Sequence, residues 1–314
     1  MLDRYDLRGE NERSREHEGL DRHRSGRASG DPREQVVDAH DIFTRNLDLP
    51  RGVERERVVV RERSYDLRGS ESRTLATVGA FRVVSTGDLR DHVDRPVDPR
   101  AGDLRHLRES GLVSTMTLEG HRDRVVTLTE QGRDLLEARR RPGGEEPRQA
   151  FYAGVRKPRE LEHDVQMYRA YLRSAERLTG RGARLHRVVL DYELKREYQG
   201  FLQERNRNRP GSDGRADRDT YEIAAWALDH ALPYFDGQMH FPDVRIEYDD
   251  LDGRSRVEDI EVTTVHYRGA HAAAAARSGF SRYSGMSARI SGRGGGRGCG
   301  RRSPDSHLAE ELSR

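Results

Sequence analysis

Acidic side chains are concentrated on a predicted pair of strands near the end of the chain. The stretch FPDVRIEYDDLDGRSRVEDIEVTT at residues 241–264 predicts two strands joined by a turn at Asp252-Gly253. Successive side chains of a strand point to opposite faces of a sheet, so each strand is predicted to have one polar face. These faces carry Asp243, Arg245 and Glu247 on the first strand, and Asp259, Glu261 and Thr263 on the second.

Asp243 and Glu261 are the candidate catalytic and metal-binding residues of this hairpin. If the two polar faces coincide, these carboxylates meet, with Glu247 or Asp259 as a further ligand. Mg²⁺ prefers oxygen ligands, and a bound Mg²⁺ can activate water and stabilise the charge of a scissile phosphate. The candidates for a nearby positive charge are His266 and Arg268. The alternative is an ordinary hairpin whose solvent-exposed face is polar.

A second group of candidate residues is basic and lies in the middle of the chain. The candidate DNA contacts on or beside a predicted helix are Arg100, Arg105, His106 and Arg108, and those at the turn of the next hairpin are His121, Arg122 and Arg124. Arginine suits this role because its planar guanidinium donates paired hydrogen bonds to phosphates and base edges. The alternative is a solvated helix face, since Asp103 and Glu109 lie among the basic residues.

Three predicted helices, a hairpin and a final helix must position the basic side chains. Leu75, Val78 and Phe81 have the spacing of a helix, and STGDLRDHV at 85–93 predicts a second helix with a serine or threonine cap. The third helix buries two leucines and ends at Gly111, a residue type that is frequent after helix ends. VSTMTL and RVVTLT predict the hairpin, and TEQGRDLLEARRR predicts the last helix.

The acidic hairpin belongs to a different series of predicted elements. RELEHDVQMYRAYLRSAERL predicts an amphipathic helix, ARLHRVVLDYEL a strand, and KREYQGFLQERNR and TYEIAAWALDHAL two further helices. The hairpin follows, and GAHAAAAARSGF after it predicts an alanine-rich helix. A further strand after this helix is not evident in the sequence. The elements predict a small α/β domain.

Composition restricts the class of protein. Charged residues make up 36% of the 314 residues and hydrophobic residues 33%, which indicates long flexible segments. The net charge of +2 creates no general basic field, so nucleic-acid binding must depend on local patches. The single cysteine, Cys299, excludes an intramolecular disulfide and fits a reducing cytoplasm. No stretch approaches the roughly 20 apolar residues of a membrane span, so no membrane contact is predicted.

The segment with the basic residues resembles a known DNA-binding class. GDLRHLRESGLVSTMTLEGHRDRVVTLTEQGRDLLE, within residues 70–141, resembles winged helix-turn-helix domains of the MarR and PadR types. The resemblance implies a recognition helix that ends in E-S-G-L-V, followed by a wing. It implies double-stranded DNA as the partner.

The acidic hairpin resembles the PD-(D/E)XK nuclease superfamily. The matches are Pro242-Asp243 and Glu261, while Thr263 stands where the superfamily has lysine. By this resemblance Asp243 and Glu261 are metal ligands. The lysine has no counterpart, but the chain contains only two lysines, so its absence is a weak sign of lost activity.

The order of the two segments resembles the replication-relaxation family of plasmids and other mobile elements. That family joins a winged helix to a nuclease-like domain. His163 and Asp164, in the helix that opens the second segment, fall where the family tends to have a histidine followed by a polar or acidic residue. The resemblance covers about residues 70–283 and favours DNA binding over cleavage.

The predicted fold class is an α+β multidomain protein: a winged helix-turn-helix followed by a small restriction-endonuclease-like α/β domain, with disordered N- and C-terminal tails. The predicted boundaries are a mostly disordered charged region at 1–69, the winged helix at 70–141, a linker at 142–150, the nuclease-like domain at 151–283 and a Gly/Arg-rich tail at 284–314. The predicted function is DNA binding in plasmid or mobile-element replication or its regulation. The alternatives are an active Mg²⁺-dependent nuclease, and a transcriptional regulator or protein-interaction scaffold. Monomer and homodimer stay open.

Overall fold

The computed structural model describes residues 41–91, 93, 95–117, 124–142, 148–155, 160–206, 217–263 and 277–285. Within these ranges the chain is a mixed α+β structure with six α-helices and several β-sheets. Residues 1–40 of the region predicted to be mostly disordered at 1–69, and residues 286–314 of the tail predicted at 284–314, lie outside the described residues.

The first half of the structure contains three helices and two small sheets. After a 3-10 turn at Ile42–Thr44, its elements are β1 (Glu56–Val60), β2 (Arg63–Leu67), α1 (Gly69–Phe81), β3 (Val84–Ser85), α2 (Gly102–Glu109), β4 (Val113–Thr117), β5 (Arg124–Leu128) and α3 (Glu130–Ala138). Strands β1 and β2 form an antiparallel hairpin. The other sheet has the order β3-β5-β4, with β5 antiparallel to both neighbours.

The helix predicted at 85–93 is replaced by a short turn. A 3-10 turn spans Thr86–Asp88, and the chain is extended at Leu89. The carboxylate of Asp91 then accepts hydrogen bonds from the backbone N–H groups of Val93 and Arg95, both at 2.9 Å. Aspartate competes in this way with helical hydrogen bonding, which explains why a leucine and a valine at helical spacing did not produce a helix.

The second half of the structure is organised around a four-stranded sheet. Its elements are α4 (Leu161–Thr179), β6 (Arg184–Leu190), α5 (Asp191–Gln203), α6 (Thr220–Asp229), β7 (Tyr234–Phe235), β8 (Gln238–Met239), β9 (Val244–Asp249), β10 (Ser255–Thr263) and β11 (Ser281–Ser284). The sheet order is β11-β10-β9-β6. Strand β9 is antiparallel to β6 and β10, whereas β11 is parallel to β10.

Strand β11 follows the alanine-rich segment, and it was not evident from the sequence. Ser281 lies opposite Ile260, and Ser284 lies opposite Thr263. Four residues with the sequence SRYS carry little strand signal, because none of them is a branched aliphatic residue. The predicted alanine-rich helix lies largely in 264–276, outside the described residues.

A shared hydrophobic core connects the two halves. The ring of Phe81, at the end of α1, lies 5.0 Å from the ring of Tyr168 and 5.1 Å from that of Tyr171, both on α4. Phe43 packs edge-on against Phe81, with ring centroids 5.5 Å apart. These four side chains are buried, so α1 and α4 hold each other directly rather than through a linker.

Gly132 marks the closest approach between α3 and the chain that precedes β4. A Cβ atom on Gly132 would lie 2.1 Å from the backbone carbonyl oxygen of Leu112, far inside van der Waals contact. We expect Gly132→Ala to destabilise the protein by roughly 2–3 kcal/mol, because a backbone atom cannot move aside as a side chain can. Denaturant unfolding measures this loss. Gly52→Ala is the control, since its nearest neighbour would be 3.9 Å away, and an equal loss in both variants would contradict the close contact.

Candidate functional site

Helix α2 has a buried side and an exposed basic side. Leu104 and Leu107 are fully buried, whereas Arg105 and Arg108 are exposed. Arg105 Nε donates a hydrogen bond to Glu109 Oε1 at 2.7 Å, which raises the pKa of Arg105 and lowers that of Glu109. The Arg105 side chain is 59% exposed, so this ion pair is weak and can exchange for another anion.

His106 lies on the side of α2 that faces α1. Its Nδ1 is 2.9 Å from Glu71 Oε1, and the Glu71 side chain is completely buried. The same carboxylate accepts hydrogen bonds from the Arg55 side chain and from the Arg68 backbone N–H. The structure therefore separates His106 from the arginines with which the sequence analysis grouped it, and gives it a contact between helices.

Asp103 is a second buried carboxylate that holds α2 in place. Its side chain is 1% exposed, and it accepts hydrogen bonds from Arg68 Nε at 2.9 Å and from the Ser70 hydroxyl. Sequence reasoning treated Asp103 as an acid that weakens a basic surface. The signal that was overlooked is its position in the first turn of a helix, where a carboxylate is favoured by the helix dipole.

The other predicted DNA contacts lie at the ends of neighbouring elements. Arg100 is exposed just before α2, and its backbone N–H donates to Asp98 Oδ1 at 2.8 Å. Arg124 is partly buried at the start of β5. His121 and Arg122 fall in 118–123, outside the described residues.

Asp243 lies at the entrance to β9 and connects three elements. Its Oδ2 accepts a hydrogen bond from the backbone N–H of Val262 on β10 at 2.8 Å and lies 3.2 Å from His163 Nε2 on α4. Its backbone carbonyl accepts from the N–H of Asp191, the first residue of α5, at 3.2 Å. The aspartate is thus held at the junction of the sheet with two helices.

His163 lies between two carboxylates. Its Nδ1 is 3.9 Å from Asp164 Oδ1, an ion-pair distance that is too long for a hydrogen bond. Burial by itself lowers the pKa of His163, but the two carboxylates outweigh burial and raise its pKa to about 10. The side chain is therefore an imidazolium at neutral pH, and Asp243 has a positive charge beside it.

Two further carboxylates of the hairpin are neutralised by arginines instead of joining Asp243. Arg245, across from Asp259 in the strand register, donates two hydrogen bonds to it at 2.7 and 2.8 Å. Arg187 on β6 does the same with Glu247, at 2.7 and 2.9 Å. Paired arginine forks of this kind are structural ion pairs. The acidic faces predicted from strand alternation therefore contain cross-strand pairs.

Glu261 and Thr263 lie on β10 next to the anchored Val262. Glu261 is partly buried and pairs in register with Arg282 of β11. The Thr263 hydroxyl is 2.7 Å from the Ser284 hydroxyl and donates to the Tyr283 carbonyl at 3.2 Å, so it links β10 to β11. His266 and Arg268, the predicted positive groups, fall in 264–276, outside the described residues.

Asp243, which the nuclease resemblance assigns to Mg²⁺, is engaged by protein donors in this structure. Among the residues that the structure describes, no three His, Cys, Asp or Glu side chains are grouped so that they can hold a metal ion. Asp243 Oδ2 already contacts two donors, one of which is the His163 imidazolium.

No protein-family model matches this chain, and neither does any curated protein or solved structure. Within the described ranges, none of the helices is both long enough and apolar enough to cross a membrane. Function must therefore be inferred from the geometry of the side chains.

Proposed function

We propose that this protein binds double-stranded DNA through residues 70–141, which act as a winged helix-turn-helix with α2 as the recognition helix. One observation carries the proposal. Helix α2 buries its leucines, exposes Arg105 and Arg108, and runs directly into a hairpin whose second strand also pairs with β3. The order of helix, short strand, helix and hairpin supports the winged-helix resemblance, although a short 3-10 turn stands where a helix at 85–93 was predicted.

The exposed side of α2 has the chemistry that DNA recognition needs. An α-helix fits the major groove, where guanidinium groups donate to phosphates and to the N7 and O6 acceptors of guanine. Arg105 is held by Glu109 in the protein alone, and a DNA phosphate or base can replace that exposed partner. The buried carboxylates of Glu71 and Asp103 fix the orientation of α2 on the other side.

The second half supports a nuclease-like domain that accompanies the DNA-binding half. Helix α4 is followed by β6, the β9–β10 hairpin and β11, which is parallel to β10. The nuclease resemblance implies such a strand after the hairpin. We propose that this domain positions the winged helix on DNA during replication of a plasmid or mobile element, or in its regulation. Packing of α1 on α4 joins the two halves through buried aromatic side chains.

An active Mg²⁺-dependent nuclease is the alternative, and the same strand order is what favours it. Incubation of supercoiled plasmid with the protein and Mg²⁺ or Mn²⁺ separates the two functions. Nicking by the wild type that disappears in Asp243→Ala would support the nuclease. Unchanged nicking in that variant would indicate a contaminating enzyme, and an intact plasmid would favour binding without cleavage.

Direct binding to duplex DNA tests the proposed function. We expect an affinity that falls by roughly 10-fold or more between 50 and 200 mM salt, because cations displaced from the phosphates return as the salt concentration rises. Fluorescence anisotropy measures how the affinity changes with salt concentration. The labelled duplexes are of random sequence or are taken from mobile elements. An absence of binding at 50 mM salt would contradict the proposal and would favour a protein-interaction scaffold.

A further inference from the structure

The chain makes a strained turn at Arg82, directly after α1. Arg82 has a φ of 68° and a ψ of −50°, and the Val83 N–H donates to the Phe81 carbonyl oxygen at 2.7 Å. This geometry is a γ-turn of the rare type with a positive φ. Glycine adopts it without steric cost, whereas any other residue is strained, and such strain is concentrated at functional sites. The side chain of Arg82 therefore calls for a role.

The turn places the Arg82 guanidinium against two tyrosine rings. Its Cζ lies 5.2 Å from the ring centroid of Tyr152 and 5.4 Å from that of Tyr192. The two rings meet edge to face, with centroids 5.8 Å apart. Arg196, one turn after Tyr192 on α5, has its Cζ 6.0 Å from the Tyr192 ring. We call Arg82, Tyr152, Tyr192 and Arg196 the arginine–tyrosine cluster.

Tyr152 is fixed in this cluster by its backbone and by its hydroxyl. Its N–H donates to the Gly79 carbonyl oxygen at 2.8 Å, and its hydroxyl donates to Glu193 Oε2 at 3.2 Å. Glu193 is also paired with Arg187, at 3.2 Å, so its negative charge already has a partner. The cluster is thus ordered before any ligand arrives, which lowers the cost of binding one.

The two guanidinium groups of the cluster have no anionic partner. Within the part of the chain that the structure describes, both contact aromatic rings, and neither forms an ion pair with a carboxylate. A ring face attracts a cation but carries no net charge, so the two positive charges are not neutralised. Arg82 is partly buried and Arg196 is exposed, which leaves the pair accessible from solvent. A phosphate suits such a pair, because guanidinium groups donate paired hydrogen bonds to its oxygens.

We propose that the arginine–tyrosine cluster binds a phosphate group of a nucleic-acid strand, at a site separate from α2. Arginines beside aromatic rings are the combination that holds single strands, because the charges track the backbone phosphates and the flat groups stack with bases. Arg82 and Arg196 come from the two halves of the structure, so a bound strand contacts both. The inference rests on nucleic acid being the partner, as in the proposed function, but it requires neither a duplex nor α2.

The double variant Arg82→Gly/Arg196→Ala tests the site with a short labelled oligothymidine as the probe. Glycine keeps the γ-turn, so the variant should fold and its Tm should stay close to that of the wild type. We expect oligothymidine to bind at least about 5-fold more weakly, and the slope of log affinity against log salt concentration to fall by about 1. Fluorescence anisotropy at several salt concentrations measures both changes. Unchanged binding in the folded variant would overturn the proposal.

Arg61→Gly/Arg254→Ala is the matched control. Arg61 also has a positive φ, of 53°, and both arginines are well exposed. This variant removes the same two charges and introduces glycine at the same kind of position. We expect it to bind oligothymidine within about 2-fold of the wild type, because charges outside the contact surface are screened. An equal loss in both double variants would show a general effect of net charge and would overturn the proposal.

A duplex probe separates this site from α2. Arg105→Ala/Arg108→Ala should lose affinity for duplex DNA and bind oligothymidine as the wild type does. A wild type that binds oligothymidine but not duplex would contradict the proposed function alone. A wild type that does not bind oligothymidine at 50 mM salt would overturn the cluster as a site. Inorganic phosphate at equal ionic strength should compete less well than unlabelled oligothymidine, and stronger competition would indicate a site for a small anion instead.

Discussion

The double variant Arg105→Ala/Arg108→Ala should bind duplex DNA about 10- to 100-fold more weakly than the wild type at low salt. Both arginines are exposed on α2, whose other side is fixed by buried leucines and carboxylates. Their loss removes donors to the groove without removing any part of the core. Fluorescence anisotropy at several salt concentrations measures the affinity, and the salt slope should fall because fewer phosphates are contacted.

A control must separate a local effect on α2 from a change in net charge. Arg254→Ala/Arg277→Ala also removes two positive charges, and these arginines are exposed at the β9–β10 turn and just before β11. We expect this variant to bind within about 2-fold of the wild type, because screening limits exposed charges outside the contact surface. An equal loss in both double variants would contradict α2 as the recognition helix.

A third double variant distinguishes contact with phosphates from recognition of bases. Arg105→Lys/Arg108→Lys keeps both charges but removes the paired hydrogen bonds of the guanidinium. It should retain most of its affinity for random duplexes and lose the preference for a specific site. The comparison requires a duplex selected by the wild type from a random pool.

Replacement of Asp103 should have a large effect on stability, because this carboxylate is buried. Asp103→Ala leaves the partly buried Arg68 guanidinium and the Ser70 hydroxyl without their carboxylate. Removal of one member of a buried ion pair costs about 3–5 kcal/mol, and the Arg68 side chain is 17% exposed, so we expect the lower end of that range. Urea unfolding followed by circular dichroism measures the difference.

The surface pair of Arg61 and Asp134 provides the comparison for Asp103. Its Nη1–Oδ2 distance is 3.4 Å, and both side chains are well exposed. Asp134→Ala should cost less than about 1 kcal/mol, because an exposed ion pair is screened by water and salt. If both aspartate variants lost the same stability, burial of Asp103 would not be the reason for its effect.

Much of the secondary structure follows from local sequence patterns. Leucines, valines and aromatic residues at helical spacing predicted α1, α2 and α4, and the alternating stretch at 241–264 predicted β9 and β10 with a turn near Gly253. These predictions agree with the structure because amphipathic periodicity is set by the residues of the element itself. The mixed α+β class follows from the same patterns.

Two local predictions were wrong or incomplete, each for a physical reason. The segment 85–93 has helical spacing, but Asp91 binds backbone N–H groups and turns the chain. Strand β11 has almost no strand signal of its own, and its place in the sheet is evident only from its pairing with β10. Neither the turn at 85–93 nor strand β11 could be predicted from the spacing of hydrophobic residues alone.

By itself, the sequence determined which residues can carry charge into the two halves of the molecule and on which elements they lie. Only the tertiary structure decided which charges meet. Asp243 contacts His163, 80 positions earlier, instead of gathering with Glu247 and Asp259, which pair with arginines. Side-chain partners depend on how helices and strands pack across the core. Strand alternation predicts the face of a sheet on which a carboxylate lies. The positions of α4 and β6 determine which basic side chain lies beside that carboxylate.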